Sequence, residues 1–173
     1  GQLAKLAASA AGVAEARLLD VNGFGAEGGG ENIFIVRKGV LKTPPTLCIL
    51  PGITRETIIE LGRANGYTVL EQLFTRDEIF LADEAFFVGT ASEVTPIREL
   101  DRRTVGEGRR GPITKDLQDR YFAIVKGENP AYEKWLTRVG AGAAAAAPKA
   151  SPAAPAKGRK NGSAKQRGPV DAA

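Results

Sequence analysis

Two kinds of hydrophobic spacing alternate along the first 139 residues of the chain. Apolar residues three or four positions apart predict amphipathic helices, and short apolar runs bounded by Gly, Pro or Asn predict strands. The expected helices cover 1–11, 54–64, a short segment from 75, 112–126 and 130–136. The expected strands cover 16–21, 32–37, 40–43, 67–70, 84–90 and 94–100. This alternation predicts a mixed α/β (α+β) domain over residues 1–139.

Turn and cap residues separate these elements. The Lys-Gly pair at 38–39 is typical of a two-residue hairpin turn, and 101–104 of a polar hairpin tip. Thr54 is expected to be the N-cap of its helix. The segment 75–78, Thr-Arg-Asp-Glu, has the capping-box pattern, and Trp135 is expected to anchor the last helix on the core.

After Val139 the chain changes to Ala, Pro, Lys and Gly, and Val170 is the one large apolar residue that follows. Such a segment cannot bury enough apolar surface to fold, so 140–173 is predicted to be a disordered, solvated tail. The tail carries six of the 24 Lys and Arg residues and one of the 20 acids, which leaves 18 basic and 19 acidic residues in 1–139. The near-neutral folded part argues against nucleic-acid binding there, while a tail contact with nucleic acid or an acidic partner stays an alternative.

Composition excludes several classes of site. The chain has no His, which excludes histidine triads and most zinc sites, and no metal site is expected. Cys48, the single cysteine, lies in the apolar run TLCIL and is expected to be a buried, inert thiol in a reducing cytoplasm. No apolar run approaches the roughly 20 residues of a membrane span. The absence of Met, with a helical start, predicts a chain cut from a longer protein; a processed terminus is the alternative.

The glycine-rich segment 23–28, GFGAEG, matches the G-x-G-x-x-G pattern of dinucleotide-binding proteins. That motif must open a helix, whereas the β-rich NIFIVR follows here, so the match is rejected. A P-loop is excluded as well, because no Gly-Lys-Ser/Thr ends the run. The glycines are instead expected to form a turn that holds Glu27 and lets the backbone approach a ligand or another strand.

The stretch from Glu27 to Arg55 suits a flat cofactor that carries a phosphate. Pyridoxal 5′-phosphate needs a lysine, a carboxylate facing its pyridine nitrogen, and backbone N–H groups for its phosphate. Glu27 offers the carboxylate, and the helix start at Ile53 and Thr54 offers the phosphate donors. Thr90, in a Gly-Thr-Ala turn, is a further donor. Spacing alone leaves the plain alternatives open, in which Glu27 is solvated and Thr54 only caps its helix.

Four longer stretches resemble the branched-chain aminotransferases of the class IV pyridoxal-phosphate enzymes. They are DVNGFGAEGGGENIFIVRKG (20–39), LPGITRETIIELGRANGY (50–67), LADEAFFVGTASEVTPIREL (81–100) and VGEGRRGPIT (105–114). The resemblance covers about 1–139. It implies the large C-terminal domain of a fold-type IV enzyme, a pseudo-barrel of strands with flanking helices, without its small N-terminal domain.

The resemblance also implies roles for individual residues. Glu27 would pair with the pyridine nitrogen of pyridoxal 5′-phosphate, and the helix start at Ile53 and Thr54 would bind the phosphate. The backbone amides at 90–91 would hold the α-carboxylate of the substrate. The implied cofactor-binding residues are Glu27, Leu50, Gly52, Ile53, Thr54 and Thr90, and the implied substrate-binding residues are Thr90 and Ala91.

No catalytic residue is assigned within the chain. By the resemblance, the counterpart of the family's Schiff-base lysine would precede Gly1, and Lys5 aligns with the body of the helix that follows and not with the catalytic position. The complete protein is expected to exchange an amino group between Leu, Ile or Val and 2-oxoglutarate, as a homodimer or larger oligomer, and the chain alone is expected to be inactive. The alternatives are a D-amino acid aminotransferase, an aminodeoxychorismate lyase, or a non-catalytic binding protein with a basic tail.

Overall fold

The structure is a computed structural model that describes residues 2–47 and 49–139. Cys48 and the predicted tail 140–173 lie outside the described residues. A first compact unit ends at Leu136, and only 137–139 of the second unit are described. Within the described ranges, no helix is both long enough and apolar enough to cross a membrane.

Helices and strands alternate much as the hydrophobic spacing predicts. The helices are α1 (Gln2–Ala10), α2 (Ile53–Ala64), α3 (Arg76–Phe80), α4 (Pro112–Val125) and a 3₁₀ helix (Pro130–Trp135). The strands are β1 (Arg17–Leu19), β2 (Gly25–Gly28), β3 (Asn32–Arg37), β4 (Val40–Thr43), β5 (Thr68–Glu71), β6 (Glu84–Gly89), β7 (Glu93–Pro96), β8 (Glu99–Leu100) and β9 (Arg103–Thr104).

Strand β3 is the centre of a seven-stranded sheet. One edge of β3 pairs antiparallel with β6, and the other edge pairs first with β2, where Glu27 faces Asn32, and then with β4. β1 adds to β2, β7 adds to β6, and β5 runs parallel to β4. β8 and β9 form a separate hairpin. The predicted mixed α/β class is confirmed, and the described strands form this branched sheet.

The central residues 33–36 of β3 are all apolar and buried, because both faces of the sheet are covered. Side chains alternate between the two faces of a strand. Phe34 and Val36 pack with α2 and α4, whereas Ile33 and Ile35 pack with α3 on the opposite face. Phe34 also stacks on Phe86 of β6, with ring centroids 5.2 Å apart. The sheet is therefore held between two apolar clusters.

A buried carboxylate caps helix α4 from the neighbouring strand. Glu84, 6% exposed, accepts hydrogen bonds from the backbone N–H groups of Ile113 (3.0 Å) and Thr114 (2.7 Å). Gly111 is the N-cap residue and makes no side-chain cap of its own. Because the first N–H groups of a helix have no partner within it, Glu84 satisfies them and joins α4 to β6.

Several local predictions are confirmed. Thr75 and Glu78 form a reciprocal capping box at the start of α3. Lys38 and Gly39 have φ values of 51° and 76°, as a two-residue hairpin turn requires. Trp135 is half-buried and packs against the cluster that lies between the sheet, α2 and α4.

Most of the glycine-rich segment is a strand rather than the predicted turn. Gly23 lies in a turn, but β2 begins at Gly25 and ends at Gly28, and its Glu27 pairs with Asn32, so the turn after it is the segment 29–31. A Cβ at Gly25 would lie 3.0 Å from the Phe74 ring. The expected close approach of the backbone is therefore present, but it occurs in an extended chain.

Two other expectations need correction. The predicted strand 94–100 is two strands: β7 ends at Pro96, the Ile97 N–H still donates to the Ala85 carbonyl oxygen of β6 at 2.8 Å, and the chain then pairs β8 with β9. Helix α1 is confirmed, but Leu3 and Leu6 are 83% and 67% exposed, and Ala8 is its buried residue. Helical spacing therefore identifies the helix without identifying its buried face.

Arg55 fastens the first turn of α2 to the sheet. Its side chain is fully buried, and Nη2 donates to the Pro44 carbonyl oxygen (2.8 Å) and to Glu71 Oε2 (2.9 Å). Arg63, two turns further along α2, donates to Glu71 Oε1 at 3.1 Å. The hydrogen bond from Arg55, with that from Arg63, lowers the pKa of Glu71 below its usual value.

We expect Glu71 to make the stability of the fold sensitive to acid. Its pKa is lower in the folded chain than the ordinary 4.5, so ionised Glu71 stabilises the fold above that pH, and the contribution is lost as pH falls through the folded value. The melting temperature of Glu71→Gln should therefore fall less on acidification than that of the wild type. Thermal melts followed by circular dichroism test this, with exposed Glu60→Gln on α2 as the control for removing one carboxylate. Parallel curves for wild type and Glu71→Gln would contradict it.

Candidate functional site

The β2–β3 hairpin brings Glu27 against the segment that leads into α2. Glu27 is half-buried, and its Oε2 accepts a hydrogen bond from the Leu50 backbone N–H at 3.0 Å. The two residues lie 23 positions apart in the sequence and meet because the β3–β4 hairpin returns the chain to the start of β3. One carboxylate oxygen is thereby held by the backbone.

Asn32 binds the carbonyl group of Leu50, the residue whose N–H binds Glu27. It faces Glu27 in the hairpin, is 5% exposed, and its Nδ2 donates to the Leu50 carbonyl oxygen at 2.9 Å. A Cβ at Gly52 would overlap Asn32 Oδ1. Glycine is therefore required at 52 if the bend before α2 is to pack on Asn32.

Helix α2 begins at Ile53, one residue earlier than expected. Gly52 is the N-cap, in extended conformation, and no side chain caps the helix, so the prediction of Thr54 as N-cap is wrong. The reason is the close packing of Gly52 on Asn32, which puts the start of the helix immediately after the bend. Ile53 is 85% exposed and Thr54 is buried. The uncapped N–H groups and the helix dipole suit an anion at this point.

Thr90 and Ala91 lie in the turn between β6 and β7, and both are exposed. Asn32 pairs with Glu27 on one side and with Val88 on the other, so this turn lies at the same end of the sheet as the Glu27 hairpin. The topology thus brings the predicted site residues to one region of the fold. Their contacts with a cofactor or a substrate stay predictions.

Lys5 lies near two carboxylates, those of Glu15 and Glu31. Its Nζ lies 3.9 Å from Glu15 Oε2 and 3.9 Å from Glu31 Oε1, on the turn that follows β2. Burial and the neighbouring Glu15 raise the pKa of Glu31. In this structure Lys5 is therefore a surface cation paired with two carboxylates.

Asn32 and Arg55 have structural roles that the sequence analysis did not assign. Both are polar residues that are almost fully buried, and both hold the segment between Glu27 and α2. Asn32 is an amide followed by four apolar residues in β3, and buried amides need hydrogen-bond partners. That pattern could have pointed to its role. Among the described residues, no group of His, Cys, Asp and Glu is arranged to hold a metal ion.

The sequence around this site matches a known protein family. Residues 2–100 match the family model of the class IV amino-transferases, which is more than half of the chain. The chain belongs to the class IV aminotransferase family. The matched residues include the Glu27 hairpin, the bend at Leu50, all of α2 and the β6–β7 turn.

Curated relatives are similar over the same part of the chain. A branched-chain-amino-acid aminotransferase of Pseudomonas aeruginosa is 52% identical over 137 residues, which are 79% of this chain and 45% of that protein. The enzyme of that name from Escherichia coli K12 is 50% identical over 129 residues, 74% of this chain and 42% of the enzyme. The chain thus spans about half the length of the curated relatives it matches.

Solved structures of this class have the same fold. A branched-chain amino acid aminotransferase complexed with N-(5′-phosphopyridoxyl)-L-glutamate, from the organism abbreviated T.th., superposes with a TM-score of 0.77 at 46% identity, over 79% of this chain and 46% of that one. The enzyme of Thermoproteus uzoniensis with norvaline gives 0.76 at 50% identity, over 79% and 45%. The chain therefore has the fold of the fold-type IV branched-chain enzymes over the part that they share.

Proposed function

We propose that this chain is the part of a branched-chain amino acid aminotransferase that holds the pyridine nitrogen and the phosphate of pyridoxal 5′-phosphate. The observation that carries the proposal is the Glu27–Leu50 contact at 3.0 Å, next to an uncapped helix start, in a chain about half identical to enzymes of that name. The whole protein would exchange the amino group of Leu, Ile or Val with 2-oxoglutarate.

The residues present fit such a cofactor. Leu50 N–H binds Glu27 Oε2, which leaves Oε1 to accept a hydrogen bond from a protonated ring nitrogen. At the other end of the site, the N–H groups of Ile53 and Thr54 begin a 12-residue helix whose N-cap makes no side-chain hydrogen bond. A protonated ring nitrogen and a phosphate carried by one flat molecule would suit these two features.

When bound, the cofactor supplies an electron sink for the bond that breaks at the substrate α-carbon. The residues of this chain act on it by binding and by charge. Glu27 keeps the ring nitrogen protonated, and the start of α2 holds the phosphate. Leu50 and Gly52 shape the seat of the ring, and Thr90 adds a phosphate contact.

The substrate would be held at the β6–β7 turn. Thr90 and Ala91 are exposed residues, and their backbone amides would suit the α-carboxylate of an amino acid. Lys5 is not proposed as the lysine that moves the proton, because it is paired with Glu15 and Glu31. Residues 1–173 alone are therefore proposed to be inactive in transamination.

We also propose that the protein works in the cytoplasm and forms a homo-oligomer. With one cysteine in 173 residues the chain can form no internal disulfide, which suits a reducing cytoplasm. The resemblance to the branched-chain enzymes supports a homodimer or a larger homo-oligomer.

Assay of the whole protein tests the proposed activity. Purified protein with bound pyridoxal 5′-phosphate is expected to form L-glutamate from 2-oxoglutarate when L-leucine, L-isoleucine or L-valine is the donor. Higher kcat/KM with D-alanine, or release of pyruvate from aminodeoxychorismate, would replace this function by one of the sister activities. Residues 1–173 assayed alone should give no glutamate. If they do, and Lys5→Ala abolishes that turnover, then Lys5 is a catalytic lysine and not only a surface ion-pair residue.

A further inference from the structure

Asn32 is a buried polar residue at the junction of the three elements that form the site. It is the first residue of β3 and pairs with Glu27 of β2 on one side and with Val88 of β6 on the other. It is 5% exposed, in a strand whose next four residues are all buried and apolar. A buried amide is costly unless its polar atoms are satisfied, so the contacts of Asn32 define what it does.

Both ends of the Asn32 amide contact the bend that leads into α2. Nδ2 donates to the Leu50 carbonyl oxygen at 2.9 Å, and Oδ1 occupies the space that a Cβ at Gly52 would need. Leu50 N–H, on the other side of the same residue, donates to Glu27 Oε2. Leu50 is thus held by its carbonyl on Asn32 and by its N–H on Glu27.

We propose that Asn32 is a positioning residue that acts through Leu50 on Glu27. The inference rests on the proposed function of Glu27 as the partner of the pyridine nitrogen. By fixing the Leu50 carbonyl, Asn32 keeps the Leu50 N–H directed at Oε2 and leaves Oε1 directed at the ring. Without the amide, the bend loses its attachment to β3, and the half-buried Glu27 carboxylate is free to rotate toward solvent.

Asn32→Asp tests this with almost no change of shape. The carboxylate has no N–H for the Leu50 carbonyl and repels its oxygen, so the bend should shift away from β3. In the whole protein stripped of cofactor, affinity for added pyridoxamine 5′-phosphate, which needs no lysine to bind, should fall about tenfold, as expected for one hydrogen bond to a charged group. A pH titration followed by absorbance should show that the ring nitrogen of bound pyridoxamine 5′-phosphate loses its proton at a lower pH in Asn32→Asp than in the wild type.

Asn65→Asp is the matched control. Asn65 Nδ2 donates to the Leu61 carbonyl oxygen at 2.7 Å at the far end of α2, so the substitution removes the same type of hydrogen bond and adds the same charge. It should leave both the affinity and the ring-nitrogen titration at wild-type values. Asn32→Ala replaces Asn32→Asp if circular dichroism finds that the latter is unfolded, and failure of both to fold would overturn the positioning role in favour of a purely structural one.

A double-mutant cycle with Glu27→Gln separates the two proposals. If Asn32 acts through Glu27, Asn32→Asp should weaken binding by less than about twofold when Glu27→Gln is already present. Equal losses in both backgrounds, or an Asn32→Asp affinity equal to that of Asn65→Asp, overturn the inference while the proposed function stands. A wild-type protein that does not bind pyridoxamine 5′-phosphate rejects the proposed function and this inference with it.

Discussion

Glu27→Ala is expected to lower kcat of the whole enzyme by about a hundredfold or more, the range seen when a charge-stabilising partner is removed from an active site. Glu27 is the carboxylate that Leu50 N–H holds at 3.0 Å, and in the proposed function it keeps the pyridine nitrogen protonated. Without that charge the ring accepts electrons poorly, so the loss should appear in kcat more than in KM. Steady-state kinetics with L-leucine and 2-oxoglutarate measure it.

Glu31→Gln provides the matched control. Glu31 lies four residues after Glu27 on the same hairpin, and its side chain interacts with Lys5, Glu15 and the backbone N–H of Gly30. Removing its charge should change kcat by less than about threefold, because its ion-pair partner is the half-exposed Lys5 and not a residue of the proposed site. If Glu27→Ala retains wild-type kcat, or if both variants lose activity equally, Glu27 is not the ring-nitrogen partner.

Arg55→Ala is expected to reduce the free energy of unfolding by about 3 kcal/mol, because it leaves a cavity and a buried carbonyl without a donor. The fully buried side chain joins the first turn of α2 to Pro44 after β4 and to Glu71 at the end of β5. Urea denaturation measures the change. Because Arg55 stands two residues after Ile53, the helix start that is proposed to bind the phosphate should loosen as well.

Arg63→Ala isolates the contribution of burial. Arg63 donates to the same Glu71 carboxylate, but its side chain is 55% exposed. Exposed ion pairs contribute little, so this variant should lose less than about 1 kcal/mol. Equal losses for Arg55→Ala and Arg63→Ala would mean that the charge on Glu71, and not the buried attachment of α2, determines stability.

Local patterns predict those elements whose stability comes from neighbouring residues. The capping box of Thr75 and Glu78 and the positive-φ turn at Lys38 are formed within four residues, so the sequence contains all that they need. The sequence pattern places the start of α2 one residue late, because its N-cap depends on the contact of Gly52 with Asn32, 20 positions earlier. An N-cap of this kind has no local signature.

Two segments near the site illustrate the same limit. The glycines around Glu27 predict a turn, yet β1 and β3 pair with both edges of the GAEG segment and make it a strand. Leu3 and Leu6 have helical spacing but are exposed, because spacing defines a face without saying what covers it.

The sequence by itself determined the mixed α/β class, most of the helices and strands, and, through four long motifs, the family with its expected cofactor-binding residues. Only the tertiary structure decided how those residues are held. Glu27, Asn32 and Leu50 lie on three separate segments, and their hydrogen bonds arise only when β2, β3 and the bend before α2 meet. Hydrophobic spacing is a property of adjacent residues, whereas the direction of a carboxylate is a property of what packs against it.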